Sequence, residues 1–312
     1  MVPQHPSLSL SLSLFSLIYI ELGLRLPKIF PSPSTTSIDP SPHYTSQSYA
    51  GKTILITGAS RGIGSEIALF YARSGASLVL FSRKREALDD VREEILKDVK
   101  EAKGRLVTVV GDVTSIEDVR SVVERAVEVF GRIDVVVANA GKANEWVKPF
   151  VENDPEDWWR TVEVNVRGVY NVAHFAIPHL NKTSGYFVIT SSITAQSRIA
   201  FASAYVLSKL AVGRLNEYMA REYPNIKTFA FHPGAIKTAL SGENSFLAPR
   251  LIDSLQLPAA TLLRLTSGRE HWLSGRYVSS NWDLDEVNKD WKEKIIRSKA
   301  LVSRLSIPAA EV

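Results

Sequence analysis

Lys52-Thr53-Ile54-Leu55-Ile56-Thr57, followed by Gly58-Ala59-Ser60-Arg61-Gly62-Ile63-Gly64, is the stretch that decides the fold. The first six residues form a short apolar run, as a strand buried on both faces requires. The glycines at 58, 62 and 64 let the backbone turn sharply and approach a pyrophosphate. The helix that follows would turn its N-terminus toward that charge. A three-glycine pattern alone is weak evidence, and its place after a buried strand strengthens it.

Outward from this stretch the chain alternates strands with helices. Helix Gly64–Ser74 is expected next, closed by Gly75, then strand Ser77–Ser82. Helix Glu86–Lys103 carries Leu88, Val91, Ile95 and Val99 at helical spacing. Strand Leu106–Val110 precedes a helix on which Thr114 and Glu117 have capping-box spacing. Strand Ile133–Ala138 leads to a long helix with Asp154 as N-cap and Pro155 at its first position. Strand Gly185–Ser191, helix Ala202–Tyr223 and strand Ile226–Phe231 complete the series, with Gly275–Asp283 as a last strand. This order predicts an α/β class: a doubly wound parallel sheet of Rossmann type in a single domain. Ligands bind such sheets at the carboxyl ends of the strands.

Composition narrows the function. The 312 residues suffice for a full core. Hydrophobic residues make up 45% and charged residues 22%, which excludes a disordered or collagen-like chain. Without cysteine there is no disulfide, Cys-ligated zinc, iron–sulfur cluster or thiol nucleophile. A net charge of +4, with no basic run, argues against a nucleic-acid partner. No metal site is expected.

Residues 1–48 are of another kind, rich in serine, proline and leucine. Leu8–Leu26 is about long enough to span a membrane, yet it carries serines and Glu21. A secretory signal would lack its basic start. The third reading is an extension outside the fold, with Phe30–Ser48 as a linker. The expected organisation is therefore 1–48 extension, 49–284 nucleotide-binding domain and 285–312 tail.

Together, Thr57–Gly64 (TGASRGIG), Asn139-Ala140-Gly141 and Tyr205-Val206-Leu207-Ser208-Lys209 resemble the short-chain dehydrogenase/reductase superfamily. The resemblance covers about residues 50–282, with its motifs in order and spacing. It implies a nicotinamide cofactor held by Gly58, Ser60, Arg61, Gly62, Ile63 and Gly64. Asn139, Ala140 and Gly141 contribute after the fourth strand. NAD enzymes place an acid at the end of the second strand to hold the ribose. Here Ser82 and Arg83 stand there, and with Arg61 they favour the 2′-phosphate of NADPH/NADP+ over NADH. Asp112 and Val113 match the adenine contact; Asp112 also suits a cap for the next helix. Pro233, Gly234, Ile236 and Thr238 resemble the turn at the nicotinamide end.

Tyr205 and Lys209 lie four apart, on one helical face. A nearby ammonium favours the phenolate, so Tyr205 is the expected acid/base. The resemblance makes Ser192, thirteen residues earlier, the partner of the substrate oxygen; neighbouring Ser191 would face the other way. Asn165, in an apolar helix, needs partners: the resemblance implies a proton-passing water, the alternative a core amide satisfying backbone. Ala138 departs mildly from the family pattern, and His232 reads as structural. The substrate loop is expected over 239–257, with Leu240, Phe246, Leu247, Leu251 and Leu255, facing Trp146, Val147 and Phe150. Without an Arg/Lys cluster, an apolar ketone or secondary alcohol is favoured.

The expected function is thus a carbonyl reductase or alcohol dehydrogenase. The C-terminal stretch is loosely similar to fungal secondary-metabolism reductases. A membrane-associated lipid ketone reductase and a non-catalytic NADP-binding regulator are the alternatives. The resemblance implies a homodimer or homotetramer. Location is expected to be cytoplasmic, or anchored through residues 8–26 with a cytosolic catalytic part.

Overall fold

A computed structural model of the chain describes residues 36–241 and 251–304. The stretch 8–26, Phe246 and Leu247 lie outside the described residues. Seven strands form one sheet: β1 (Thr53–Thr57), β2 (Ser77–Ser82), β3 (Leu106–Val110), β4 (Val135–Ala138), β5 (Tyr186–Thr190), β6 (Lys227–His232) and β7 (Arg276–Ser279). Their order is β3-β2-β1-β4-β5-β6-β7, every pairing parallel. The order reverses direction between β1 and β4, and the crevice at that switch point is where such sheets hold ligands.

Strand alternation builds two cores. Ile54, Ile56, Leu78 and Leu80 face one side; Leu55, Val79 and Phe81 face the other. The helices are α1 (Ser41–Ser46), α2 (Gly62–Arg73), α3 (Arg85–Asp98), α4 (Ile116–Phe130), α5 (Pro155–Val162), α6 (Gly168–Thr183), α7 (Ser203–Glu222), α8 (Gln256–Leu265), α9 (Leu284–Glu286) and α10 (Lys292–Ser298). Leu88, Val91 and Ile95 of α3 and Leu262 and Leu263 of α8 bury into the first core. Val122 of α4, Val172 of α6 and Val212 of α7 bury into the second.

Local expectations needed adjustment in four places. The helix expected over Glu86–Lys103 ends at Asp98; Val99 leaves helical geometry and a 3₁₀ turn, Lys100–Gly104, follows. The cap of α4 is Ser115, which accepts from the Asp118 N–H, rather than Thr114. Thr114 is diverted because its hydroxyl and N–H both donate to Asp112. Asp154 and Pro155 do open a helix, but a π turn at Glu163–Arg167 separates α5 from α6.

The fourth concerns the linker expected over Phe30–Ser48. Its described part, Thr36–Ser48, belongs to the fold. Ile38 is buried, and so is Tyr49 just beyond. The Tyr49 hydroxyl donates to the Leu263 carbonyl (2.7 Å) and also meets the Thr266 hydroxyl. Arg264 of α8 donates to the Ser37 carbonyl and pairs with Glu270 at 2.7 Å, both side chains almost fully enclosed. Asn288 donates to the other Glu270 oxygen. One buried ion pair thus ties the N-terminal segment to the C-terminal one. The start of the 285–312 tail is likewise packed: Val287 and Ile295 are buried, and the Tyr277 N–H donates to the Leu301 carbonyl.

A buried charge stripped of its partner is costly. Arg264→Leu is expected to lower stability in urea titration by about 3 kcal/mol. The double variant Arg264→Leu/Glu270→Leu should recover part of that loss. No recovery would mean that the pair itself is not what secures the segment.

Candidate active site

The glycine loop is clamped between strand ends. Gly58 and Gly64 cross so closely that a Cβ on Gly64 would lie 2.3 Å from the Gly58 carbonyl oxygen and 2.7 Å from the Asn139 amide nitrogen. Gly58 also has φ +66°, and its Cβ would meet the Ala140 backbone at 2.8 Å. Asn139 donates its amide to the Thr57 and Gly58 carbonyls and accepts from the Thr190 hydroxyl, all at 3.2 Å. The Asn139 and Ala140 N–H groups donate to the Thr57 hydroxyl. The loop, the end of β4 and the end of β5 are therefore one hydrogen-bonded unit.

Across the crevice, Thr238 lies against Gly62; a Cβ there would be 3.5 Å from the Thr238 methyl. Ser241 accepts from the Thr238 N–H and donates to the Ile236 carbonyl. Gly234, following Pro233, has φ +99° and sits beside Asp253, which accepts from the Ala235 N–H at 2.6 Å.

At the other end, the Ser82 hydroxyl donates to Ser60 at 2.8 Å, joining β2 to the glycine loop. Arg61 and Arg83 are exposed, and neither is in an ion pair with a described residue. Asp112 is committed: one oxygen accepts twice from Thr114, the other from Arg160 at 2.8 Å. Burial works to raise its carboxyl pKa. The Thr114 bonds, then Arg160 and Arg83, outweigh that and hold it below the usual value. Val113 is buried, and its carbonyl accepts from Asn171.

Helix α7 places Tyr205 and Lys209 one turn apart. The Lys209 ammonium is buried, donates to the Thr190 carbonyl at 2.7 Å and lies 5.5 Å from the centre of the Tyr205 ring. Gly141 adjoins it: a Cβ there would stand 3.7 Å from the ammonium and 3.3 Å from the Asn165 oxygen. Ser192 accepts from the Thr194 N–H and hydroxyl and interacts with the Tyr205 phenol. Trp146 covers the tyrosine, ring centres 5.7 Å apart.

Burial raises the Tyr205 pKa, and Ser192 offsets only part of the rise. Lys209 is buried as well, and burial pushes its pKa down to about 8. The Asn165 amide is spent on protein: it accepts from the Lys142 N–H and donates to the Lys142 carbonyl and to Ser208. These bonds pin the loop after β4 to α7. Of the residues expected opposite the substrate loop, only Trp146 is buried; Val147 and Phe150 are 59% and 70% exposed. His232 is buried, with its pKa pushed down to about 3 by burial, as fits a neutral structural histidine. No group of ligating side chains suited to a metal occurs among the described residues.

Sequence reading missed the supports: Thr57, Thr190, Ser208, Ser241 and Asp253. Thr57 and Thr190 had a signal, since each ends a strand next to a motif. Asp253 had none, being brought in by a distant loop.

Comparison with known proteins gives the family. Residues 52–245 match the short chain dehydrogenase family. The short chain dehydrogenase mpl6 of Monascus purpureus is 38% identical over 266 residues, covering 82% of this chain and 89% of that protein. An alcohol dehydrogenase from Thermococcus sibiricus, solved with 5-hydroxy-NADP, superposes with TM-score 0.61 at 28% identity, over 73% of this chain and 95% of its own. A 3-ketoacyl-(acyl-carrier-protein) reductase from Brucella melitensis, solved with NADH, gives 0.67 at 27%, over 74% and 96%. The matched span runs from β1 through the glycine loop and the Tyr205–Lys209 helix to beyond β6, and this chain belongs to the short chain dehydrogenase family.

Proposed function

We propose that the protein uses NADPH/NADP+ to interconvert a ketone and a secondary alcohol on an apolar small molecule, with Tyr205 as acid and base. The observation that carries this reading is the convergence of Ser192, Tyr205 and Lys209 beside the glycine loop.

The cradle suits a dinucleotide, because the close crossing of Gly58 and Gly64 holds a tight turn at the start of α2, where a pyrophosphate would meet a helix N-terminus. Gly58, Ser60, Arg61, Gly62, Ile63 and Gly64 would hold it, with Ser82 and Arg83 at the ribose, and Asp112 and Val113 at the adenine. Asn139, Ala140 and Gly141 line the middle; Pro233, Gly234, Ile236 and Thr238 flank the nicotinamide end. When bound, the cofactor supplies or accepts the hydride. Ser192 orients the substrate oxygen, and Tyr205 gives that oxygen its proton or takes it back. Lys209 keeps positive charge near the phenol. Ser82, in place of an acid, and the two exposed arginines support the phosphorylated cofactor.

Trp146, together with the partly exposed Leu240 and Leu251, supports an apolar substrate. The exposed Trp159, Tyr170, Leu207 and Tyr218 on α5–α7 support a homodimer or homotetramer. We place the enzyme in the cytoplasm. No described helix is long and apolar enough to cross a membrane.

Three outcomes test the reading. Tyr205→Phe should lower kcat for ketone reduction about a thousandfold while NADPH still binds; unchanged turnover would remove Tyr205 from the chemistry. Arg61→Ala/Arg83→Ala should raise the KM for NADPH about tenfold and leave that for NADH unchanged. An equal effect on both cofactors would contradict the phosphate assignment. Because the Lys209 pKa is lowered to about 8, it carries its charge below that pH and loses it above. Reductive kcat should therefore fall as pH rises through about 8; a flat profile into the range of free lysine would contradict the role given to its charge.

A further inference from the structure

The turn after β6 owes its shape to two side chains, Asp253 and Ser241. Asp253 takes both backbone groups of Ala235. The Ala235 N–H donates to Asp253 Oδ2 at 2.6 Å, and the Asp253 N–H donates to the Ala235 carbonyl at 3.0 Å. Ile236 and Asp253 accordingly pair as a short parallel bridge. Further along the turn, Ser241 donates to the Ile236 carbonyl at 2.7 Å and accepts from the Thr238 N–H at 3.0 Å.

Asp253 also reaches the turn after β7. The same Oδ2 accepts from the Asn281 side-chain amide at 3.0 Å. Ser280, next to Asn281, donates its N–H to the His232 carbonyl at 2.9 Å. One carboxylate oxygen thus joins the ends of β6 and β7. The space around it is filled: Gly234, at φ +99°, would place a Cβ 2.8 Å from Oδ2 and 3.2 Å from the Leu257 side chain. Leu257 is buried, and its neighbour Gln256 donates to Glu66 of α2 at 3.2 Å. At the other end of the turn, Thr238 lies against Gly62, where α2 begins. The turn is therefore braced against the helix that opens the nucleotide cradle, with Asp253 as the brace at its start.

We propose that Asp253 is a positioning residue for the nicotinamide end of the cofactor, acting through the Gly234–Thr238 turn. Its Oδ2 keeps the turn at the separation from the glycine loop that the nicotinamide half requires. The adenine half, at the far end beside Ser82 and Asp112, does not depend on it. The assignment rests on the nicotinamide cofactor proposed above, and not on the ketone or on Tyr205. Because both donors converge on one oxygen, the position requires an acceptor rather than a charge. Asparagine supplies such an oxygen. Alanine leaves the Ala235 N–H and the Asn281 amide without it.

The test is calorimetric titration of the full chain with NADPH and with 2′-phospho-ADP-ribose, the same nucleotide lacking nicotinamide. Asp253→Ala should weaken NADPH about tenfold and leave 2′-phospho-ADP-ribose within about twofold of the unsubstituted chain. Asp253→Asn should bring NADPH back to within about threefold. Retained binding of 2′-phospho-ADP-ribose also reports that each variant is folded, a readout that general damage to the fold would move. Unchanged NADPH affinity in Asp253→Ala, an equal loss for both ligands, or an Asp253→Asn variant as weak as Asp253→Ala would each overturn the assignment while leaving the cofactor reading in place. Failure of the unsubstituted chain to bind NADPH would overturn the cofactor reading, and the assignment with it.

Discussion

The crossing of Gly58 and Gly64 beneath Asn139 is the constraint on which the site depends. Any side chain at 64 would strike the loop's own carbonyl or the asparagine amide. That contact draws the β1–α2 turn against the end of β4, and Thr190 extends it to β5. The same Thr190 offers its carbonyl to Lys209. A single network therefore sets the nucleotide cradle and the lysine in fixed relation. A parallel sheet with its strand order reversed between β1 and β4 brings these ends together.

Electrostatics at the site follow from enclosure rather than from pairwise attraction. Both Tyr205 and Lys209 are driven toward their neutral forms by burial. Ser192 opposes this for the phenol, and the Thr190 carbonyl gives the ammonium a partner. The result is a tyrosine biased toward the form that carries its proton. The expectation from the lysine alone left out the burial of the phenol itself.

Strands were the most legible elements, because a buried parallel strand is a continuous apolar run and Lys52–Thr57 or Ser77–Ser82 admits few other readings. Tyr205 and Lys209 were legible through their spacing, Gly58 and Gly64 through their place after a strand. Partners reached through tertiary contact were hidden. Asn165 was recognisable as a buried amide, but not that its bonds go to Lys142 and Ser208. Thr36–Ser48 resembled a linker because its anchoring depends on Ile38, on Tyr49 and on an arginine over two hundred residues away. The cap of α4 moved from Thr114 to Ser115 because Asp112 competes for the threonine hydroxyl.

We propose that this cleft transfers hydride between a nicotinamide and the carbonyl carbon of an otherwise apolar substrate. The most direct measurement is mass spectrometry of the alcohol formed from a panel of apolar ketones with NADPH deuterated at the transferring C4 position. The account predicts one deuterium on the carbinol carbon of the product. A chain that binds NADPH tightly yet moves no deuterium into any ketone would contradict it, and would favour a regulatory protein that only senses the nucleotide.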